Sequence, residues 1–193
     1  DTFLERYGIK LPDQEKIRKI HGKYNQDIFK ALFSKPISES QTEEYISEKE
    51  GIYQSLCLQS DIQLAPGATD FLDFLSDNSI PFTIATASGI ENVDFYFEHL
   101  GLSRYFDPSK VIYNDGTFPG KPNPRIFQKA MEKLEITAGE TLIFEDSIAG
   151  IISAENAGAG KIIIVDSNGE DYSRWNYQVI KDFSEVKKSV FVK

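Results

Sequence analysis

The sequence predicts an α/β fold with a doubly wound parallel sheet, preceded by a bundle of helices. Short apolar runs without alternating polar residues recur after residue 80, and such runs are typical of strands buried on both faces. Stretches with helical spacing separate these runs, which favours parallel strands connected by helices. Residues 1–58 have helical spacing and no convincing strand. The two regions are therefore expected to fold differently.

The first region is predicted to be a small helical bundle. Its apolar residues recur at helical spacing, and Gly and Pro residues mark the ends of these stretches. The expected helices are one that ends at Gly8, one over 12–20, one that begins at Asn25 or Asp27 and ends before Pro36, and one over 38–58. We therefore expect a helical domain over residues 1–62 and an α/β domain over residues 63–193.

The second region begins after the Pro66-Gly67 break and alternates helices with short strands. Helices are expected over 68–76, 92–100, 124–134, 148–157 and 183–190. Strands are expected over 81–86, 110–113, 141–144 and 161–166, with an edge strand over 177–180. The stretch from Tyr172 to Trp175 is expected to be a surface loop that packs on the last helix.

Composition and charge exclude several classes of protein. The 193 residues are 40% hydrophobic, which is enough for a sizeable core. The net charge is −9 and there is no basic run, so nucleic acids and anionic membranes would be repelled. No apolar stretch approaches the roughly 20 residues of a membrane span. The single Cys57 cannot form an internal disulfide, and we expect it to lie in the core. We expect the protein itself to be cytoplasmic, in a reducing compartment, and to be a monomer.

Polar side chains follow three of the predicted strands at their carboxyl ends. They belong to Thr86-Ala87-Ser88, Glu145-Asp146-Ser147 and Asp166-Ser167. Right-handed crossovers bring the carboxyl ends of parallel strands to one edge of the sheet, where ligands bind in open α/β folds. A loop with two prolines, Gly120-Lys121-Pro122-Asn123-Pro124, would hold Lys121 near that edge. We expect these groups to form one site.

Phosphoryl transfer requires this combination of groups. A phosphoryl group needs hydroxyl and ammonium donors for its oxygens, which Thr86 and Lys121 can supply. Carboxylates hold the Mg²⁺ that neutralises charge in the transition state, and Glu145 and Asp146 are the candidate ligands. Each residue also has a purely structural interpretation. Thr86 can simply end a strand, Ser88 can cap a helix, Lys121 can be solvated, and the acidic pair can lie in the favourable field of a helix start.

Five short segments carry a resemblance to a known family. In order, and after Pro66-Gly67, the segments that resemble the haloacid dehalogenase-like hydrolases are 84–88, 91–93, 99–102, 120–127 and 144–151. Within that family the chain looks like the β-phosphoglucomutase-like branch, which has a helical cap. The resemblance covers nearly the whole chain. It implies a Rossmann-like doubly wound core with an inserted helical-bundle cap.

The resemblance also implies roles for the candidate residues. Thr86 corresponds to the phosphate ligand of the second family motif, with Ala87 and Ser88 in the same substrate-binding turn. Lys121 corresponds to the lysine of the third motif. Asp146, assisted by Glu145, corresponds to the Mg²⁺ ligand of the fourth motif.

By the same resemblance the cap selects the substrate. His21 and Lys23 lie in a stretch that aligns with a cap loop facing the active site in relatives, and Lys49 with Tyr53 resembles a cap-helix Lys-x-x-x-Tyr pattern. Asn25 aligns with the Arg that phosphoglucomutases use for a second phosphate. We therefore expect a phosphatase for a small phosphorylated metabolite such as a sugar phosphate, with a phosphosugar mutase as an alternative. A core or surface role for His21 is equally open.

One family motif does not occur in this sequence. The first motif is a strand that ends in Asp-x-Asp, where the first Asp is the nucleophile and the second is the general acid/base. The resemblance places this strand before the cap, and in the sheet between 82–86 and 141–145. Because the sequence begins at Asp1 and its only methionine is Met131, we expect a fragment whose missing strand forms the aspartyl-phosphate intermediate. The alternative is a non-catalytic phosphate-binding protein that lacks the nucleophile.

Overall fold

The computed structural model describes residues 1–167 and 169–191 of the chain. In these residues the α-helices are α1 (Thr2–Arg6), α2 (Asp13–Ile20), α3 (Asn25–Leu32), α4 (Glu39–Gln59), α5 (Ala68–Asp77), α6 (Ile90–His99), α7 (Arg125–Leu134) and α8 (Ile148–Asn156). The β-strands are β1 (Leu142–Glu145), β2 (Lys161–Val165) and β3 (Gln178–Ile180). This is the α/β fold that the sequence predicts.

The strands form one parallel sheet in the order β1-β2-β3. Ile143 of β1 lies opposite Ile162 of β2. Helix α8 connects β1 to β2, and it begins where the Ser147 hydroxyl accepts a hydrogen bond from the Gly150 N–H at 3.0 Å. The carboxyl end of β1 therefore leads directly into the first turn of a helix.

Helices cover both faces of this sheet. On one face, Ile143 and Ile162 pack in a cluster with Met131 of α7 and residues of α8. On the other face, the fully buried Ile163 packs in a second cluster with Phe71 of α5. Burial on both faces explains why the strands are continuous apolar runs in the sequence.

Helices α1 to α4 share a hydrophobic cluster of their own, centred on buried side chains that include Phe3 and Phe29. Helix α4 begins with a capping box, in which the Ser38 hydroxyl accepts a hydrogen bond from the Gln41 N–H and the Gln41 side chain accepts one from the Ser38 N–H. Helix α4 also contacts α6 of the other region. Among the residues that the structure describes, no helix is long and apolar enough to cross a membrane.

Two of the predicted strands, 81–86 and 110–113, do not form a ladder. They meet in a single parallel bridge between Ala85 and Ile112, where the Thr86 N–H donates to the Ile112 carbonyl at 2.8 Å. A strand ladder needs a partner along its length, and the other side of the 81–85 segment faces a cavity. These segments are extended stretches next to the sheet rather than strands within it.

The predicted closing helix over 183–190 is instead two short 3₁₀ turns, Phe183–Glu185 and Lys188–Val190. The Asp182 carboxylate accepts a hydrogen bond from the Ser184 N–H at 2.8 Å and so caps the first turn. Val186 then has an extended backbone (φ −70°, ψ 117°), so the 3₁₀ segment ends after a single turn.

Two predictions about individual residues are also wrong. Tyr172 is buried against Ile151 and Ile164, although the sequence suggests a surface loop on the last helix. Its ring packs on α8 and β2. The sequence does not indicate this burial, because the residues around Tyr172 are polar. Cys57 is partly exposed on α4 instead of lying in a core.

Candidate active site

A cavity of about 660 Å³ lies between the N-terminal helices and the carboxyl end of β1. All of the candidate site residues line it. From the α/β region these are Thr86, Ala87, Ser88, Lys121, Glu145 and Asp146, and from the helical region they are His21, Lys23 and Lys49. The fold therefore brings together residues that are far apart in the sequence.

Thr86 begins a tight turn over residues 86–89 that leads into α6. Its hydroxyl accepts a hydrogen bond from the Ser88 N–H at 3.1 Å, and the Ser88 carbonyl accepts one from the Asn114 N–H at 3.0 Å. Gly89 is the residue before the first turn of α6. The turn thus places two hydroxyl groups at the cavity next to a helix N-terminus, a position that favours an anion.

Lys121 is a buried cation paired with a buried anion. Lys121 and Glu145 are each 7% exposed, and the Lys121 ammonium donates a hydrogen bond to Glu145 Oε1. The loop that carries Lys121 is fixed to α8, because the Ser153 hydroxyl donates to the Asn123 carbonyl at 2.7 Å. A buried ammonium held in this way is not a solvated surface lysine, so that structural alternative does not apply.

Glu145 ends β1 and is held on several sides. Its Oε2 accepts hydrogen bonds from the Ser147 hydroxyl at 3.1 Å and from the Asp146 N–H at 3.2 Å. Gly150 of α8 faces the carboxylate so closely that a Cβ there would lie 2.0 Å from Glu145 Oε2. Lys121 occupies the other oxygen. The Glu145 carboxylate is therefore rigidly placed.

Asp146 differs from Glu145 because it is exposed at the cavity. Its Oδ2 accepts a hydrogen bond from the Ser167 hydroxyl at 3.0 Å, and its backbone carbonyl accepts one from the Tyr172 hydroxyl at 2.6 Å. Burial is the main cause that raises the pKa of Tyr172, and nearby carboxylates, of which Glu170 has the largest effect, raise it further. The Tyr172 hydroxyl therefore stays protonated and can donate a hydrogen bond. Tyr172 fixes the backbone that carries Asp146.

The side chains at this edge of the sheet can supply one or two of the ligands of a Mg²⁺ ion. The described residues contain no group of three or more His, Cys, Asp or Glu side chains that could hold a metal ion. Mg²⁺ usually keeps several waters and takes only one or two protein carboxylates together with substrate phosphate oxygens. Asp146 has the exposure needed for a direct ligand, whereas Glu145 is bonded to Lys121 and Ser147 and suits a supporting position.

The turn between α2 and α3 packs directly on the start of α8. A Cβ at Gly22 would lie 2.3 Å from the Ser147 hydroxyl oxygen, and Gly22 has a φ of +66°, so only glycine suits this position. Next to it, His21 Nδ1 lies 3.2 Å from Glu170 Oε1, and Glu170 Oε2 accepts a hydrogen bond from the Ile148 N–H. His21 is therefore at the cavity and also in a contact between the two regions.

Four residues at this site are absent from the sequence prediction. Glu170 and Tyr172 hold His21 and Asp146, and Glu50 and Asn92 form a buried contact between α4 and α6. Glu50, Glu170 and Tyr172 lie in polar stretches without a recognisable motif, and Asn92 lies in a segment that resembles the family but for which the resemblance implies no role. Their importance depends on contacts between distant parts of the chain, and the sequence gives no signal for these contacts.

A second cavity, of about 970 Å³, lies beside β1 and is mostly lined by apolar side chains. Residues 81–85 form one wall, and 142–144 of β1 form the opposite wall. β1 is an edge strand of the sheet in the described residues, and its unpaired edge is on this side. We call this cavity the slot. It lies where the resemblance places the first strand of the family.

Comparison with known proteins gives consistent matches. A family model described as haloacid dehalogenase-like hydrolase matches residues 1–164. A phosphorylated carbohydrates phosphatase from Thermotoga maritima is 28% identical over 115 residues, which cover 60% of this chain and 50% of that protein. The chain thus spans about half the length of that relative.

Solved structures extend the comparison to the whole fold. The crystal structure of a HAD hydrolase of family IA, variant 3, from Entamoeba histolytica superposes with a TM-score of 0.83 and 34% identity, covering 97% of this chain and 85% of that one. A β-phosphoglucomutase from Clostridium difficile has a TM-score of 0.74 and 24% identity, covering 98% of this chain and 84% of that one. At that identity the second likeness shows the fold alone.

Proposed function

The chain belongs to the haloacid dehalogenase-like hydrolases, and from this premise we propose that it acts as an Mg²⁺-dependent phosphatase on a small phosphorylated metabolite such as a sugar phosphate. One observation carries the proposal. The buried Lys121 ammonium, the Thr86 hydroxyl and the exposed Asp146 carboxylate line the same cavity. The name of the phosphorylated carbohydrates phosphatase agrees with this substrate class.

The residues of the 86–89 turn bind the phosphoryl group in this proposal. The Thr86 and Ser88 hydroxyls and the backbone N–H groups at the start of α6 donate hydrogen bonds to its oxygens. Lys121 neutralises one of the negative charges that the phosphoryl group carries. Because Glu145 holds Lys121 in place, the ammonium needs little reorganisation when the substrate binds.

Asp146 holds Mg²⁺ in this proposal, and Glu145 supports it from behind. When bound, the ion neutralises charge on the transferring phosphoryl oxygens. Tyr172 and Ser167 keep Asp146 oriented toward the cavity. Glu145 connects the metal position to the ammonium, because it directly precedes Asp146 and pairs with Lys121.

In this proposal the nucleophile is the carboxylate of an Asp-x-Asp strand that would fill the slot. One carboxylate oxygen attacks phosphorus and the P–O bond to the leaving group breaks, while the second Asp gives its proton to the leaving oxygen. The second Asp then takes a proton from water, whose oxygen attacks the phosphorus, and the bond to the aspartyl oxygen breaks to release phosphate and the free carboxylate. The position of the slot between 81–85 and β1 supports this arrangement, since a parallel strand there would end beside Thr86 and Glu145.

Helices within residues 1–62 form the cap, which closes the cavity over the α/β region of residues 63–193. Asn25 supports a phosphatase over a mutase, because it is 8% exposed and donates its side-chain N–H to Glu50 at 2.7 Å. It is therefore engaged within the cap and presents no cation for a second phosphate. The free thiol of Cys57 supports the proposal that the protein works in a reducing compartment such as the cytoplasm.

A phosphate-binding protein without turnover is the second candidate. It is favoured by one observation about the described residues that line the cavity. Their carboxylates are Glu50, which is hydrogen-bonded to Asn25, Lys49 and Asn92, and Glu145 and Asp146, which the phosphatase proposal uses for the metal, so none of them is left to act as nucleophile. Such a protein would bind phosphate and would release none from an ester.

Hydrolysis of an aryl phosphate by the full-length protein tests both candidates. We expect turnover with Mg²⁺, loss of turnover after chelation, and a decrease of about 100-fold or more for Asp146→Asn. The matched control is Asp107→Asn, which removes a carboxylate that is exposed and does not line the cavity. Turnover that persists in chelator, or in Asp146→Asn at the rate of Asp107→Asn, would overturn the proposal. Binding of phosphate without any hydrolysis would support the second candidate.

A further inference from the structure

Glu50 of α4 is a buried carboxylate in the cap, and it is 8% exposed. Three groups donate hydrogen bonds to it, each at 2.7 Å: the Asn25 side chain and the Lys49 ammonium to Oε1, and the Asn92 side chain to Oε2. Asn92 is 3% exposed. The Glu50 carboxylate and the Asn25 and Asn92 amides are therefore almost completely removed from water, whereas Lys49 is partly exposed.

The donors belong to different parts of the molecule. Asn25 and Lys49 are on the cap helices α3 and α4, whereas Asn92 is in the first turn of α6, directly after the 86–89 turn. Glu50 thus joins the cap to the helix that follows the proposed phosphate-binding turn. Glu50, Lys49 and Asn92 all line the cavity.

A second layer of contacts surrounds this cluster. The Gln54 side chain donates to Asn92 Oδ1 at 2.9 Å, so both polar groups of the Asn92 side chain have partners on α4. The Tyr96 hydroxyl donates to the Tyr53 hydroxyl at 2.9 Å one turn further along. When the cap is in this position, the Asn92 side chain donates one hydrogen bond and accepts one. Movement of α4 away from α6 would break both of its bonds at once.

The cluster has a net charge of zero because one cation and one anion cancel. Lys49 carries the positive charge, Glu50 the negative charge, and Asn92 is neutral. An extra carboxylate at position 92 would place two anions within hydrogen-bond distance in a buried site, which is strongly unfavourable. An amide at position 50 together with a carboxylate at position 92 would restore both the net charge and a donor–acceptor pair.

We propose that Glu50 is a positioning residue, which through Asn92 latches the cap closed on the 86–89 turn and through Lys49 holds an ammonium group at the cavity wall. This inference rests on the proposed function of that turn as the phosphate-binding element. The latch makes substrate affinity depend on the fraction of molecules whose cap is closed.

A charge-exchange cycle tests the latch in the full-length protein. Hydrogen–deuterium exchange without substrate is expected to be faster in α4 after Glu50 and in the first turn of α6 for Asn92→Asp. The double variant Glu50→Gln with Asn92→Asp is expected to return both segments to wild-type exchange. Asn78→Asp is the control, because it removes a similar amide at the end of α5, away from the cap.

Kinetics separate the latch from a general loss of folding. If Asn92→Asp shifts the cap equilibrium toward the open state, KM for the aryl phosphate should rise about tenfold while kcat stays nearly constant. The double variant should restore the wild-type KM. A merely structural defect would lower kcat through a smaller folded fraction and leave KM unchanged. The latch proposal is overturned if Asn92→Asp has the hydrogen-exchange rates of the wild type. It is also overturned if the double variant exchanges as fast as Asn92→Asp. If the wild type hydrolyses no ester, the proposed function fails, and the exchange measurement still decides whether the latch exists.

Discussion

Gly150 determines whether Glu145 can occupy its place at the end of β1. A Cβ at this position would lie 2.0 Å from Glu145 Oε2 and 2.1 Å from its carboxyl carbon. Gly150→Ala should therefore push the carboxylate away from Lys121 and disturb a buried ion pair. We expect a loss of about 1–3 kcal/mol in the free energy of unfolding, measured by urea titration of the full-length protein.

Gly51 provides a matched control within another helix. It is in α4, and a Cβ there would meet no atom within 4 Å. Because alanine is a better helix former, Gly51→Ala should raise stability by about 0.5–1 kcal/mol. Equal stability changes in the two variants would show that Glu145 does not depend on the space that Gly150 leaves.

At the level of single residues, the sequence predicts the members of the site but not their supports. Thr86, Lys121 and Asp146 can be predicted because apolar runs that end in polar residues and a proline-stiffened loop have recognisable local patterns. Glu50 cannot, because an acidic residue in the polar stretch of a helix usually faces solvent. Tyr172 lies in a loop whose polar neighbours conceal its burial. The contacts that give these two residues their roles join positions far apart in the chain.

At the level of elements, α3, α4 and α6 meet at Glu50, and this junction should respond to pH. Burial by itself raises the pKa of Glu50, but the Lys49 ammonium and the hydrogen bonds from Lys49, Asn25 and Asn92 outweigh it, so the pKa is lowered from its ordinary value of 4.5. Tyr96, on α6, also faces this group and stays neutral because burial raises its pKa.

A lowered pKa means that the ionised carboxylate stabilises the folded state above the ordinary pKa. This contribution is lost as the pH falls through the lowered value. We expect Glu50→Gln to cost about 1–3 kcal/mol in the free energy of unfolding at pH 7, and this difference from wild type to shrink below about pH 4.5. Urea titrations at several pH values measure it, and the other carboxylates cancel in the difference. A constant difference down to pH 3 would contradict the assignment.

Elements with a complete local pattern are predicted well. β1, β2 and α8 have continuous apolar runs or helical spacing, and their burial on both sides follows from that pattern. The segments 81–86 and 110–113 have the same apolar character but form only one bridge. An apolar run shows that a segment packs against apolar neighbours. It does not show which neighbour completes its hydrogen bonds.

At the level of the whole molecule, the distribution of charge favours a small anion as the ligand. The chain carries a net charge of −9, yet one cavity is lined by three lysines, Lys23, Lys49 and Lys121, which balance the three carboxylates in the same lining. An acidic surface repels extended polyanions, while a cavity whose charges balance does not repel a compact phosphate ester and offers it ammonium donors. The cavity and the surface therefore select for size as well as for charge.

The slot is the other feature that concerns the whole molecule, because it separates the 81–85 segment from the sheet. Ala130 of α7 lines it together with apolar residues of α5 and β1. A strand in the slot would pair with the free edge of β1, and a larger side chain at position 130 would then have no room. We expect Ala130→Phe to lower the free energy of unfolding of the full-length protein by about 1–3 kcal/mol.

The sign of this change decides whether the slot is filled. In an open slot the added ring would bury apolar surface without displacing anything, and stability would rise by up to about 2 kcal/mol. Ala154→Phe is the control for overpacking, because Ala154 is fully buried between α8 and the sheet and should be destabilised in either case. Stabilisation by Ala130→Phe, with clear destabilisation by Ala154→Phe, would mean that no strand occupies the slot. The catalytic proposal would then lose its nucleophile, since the slot is the position from which a strand could bring a carboxylate to Thr86 and Lys121.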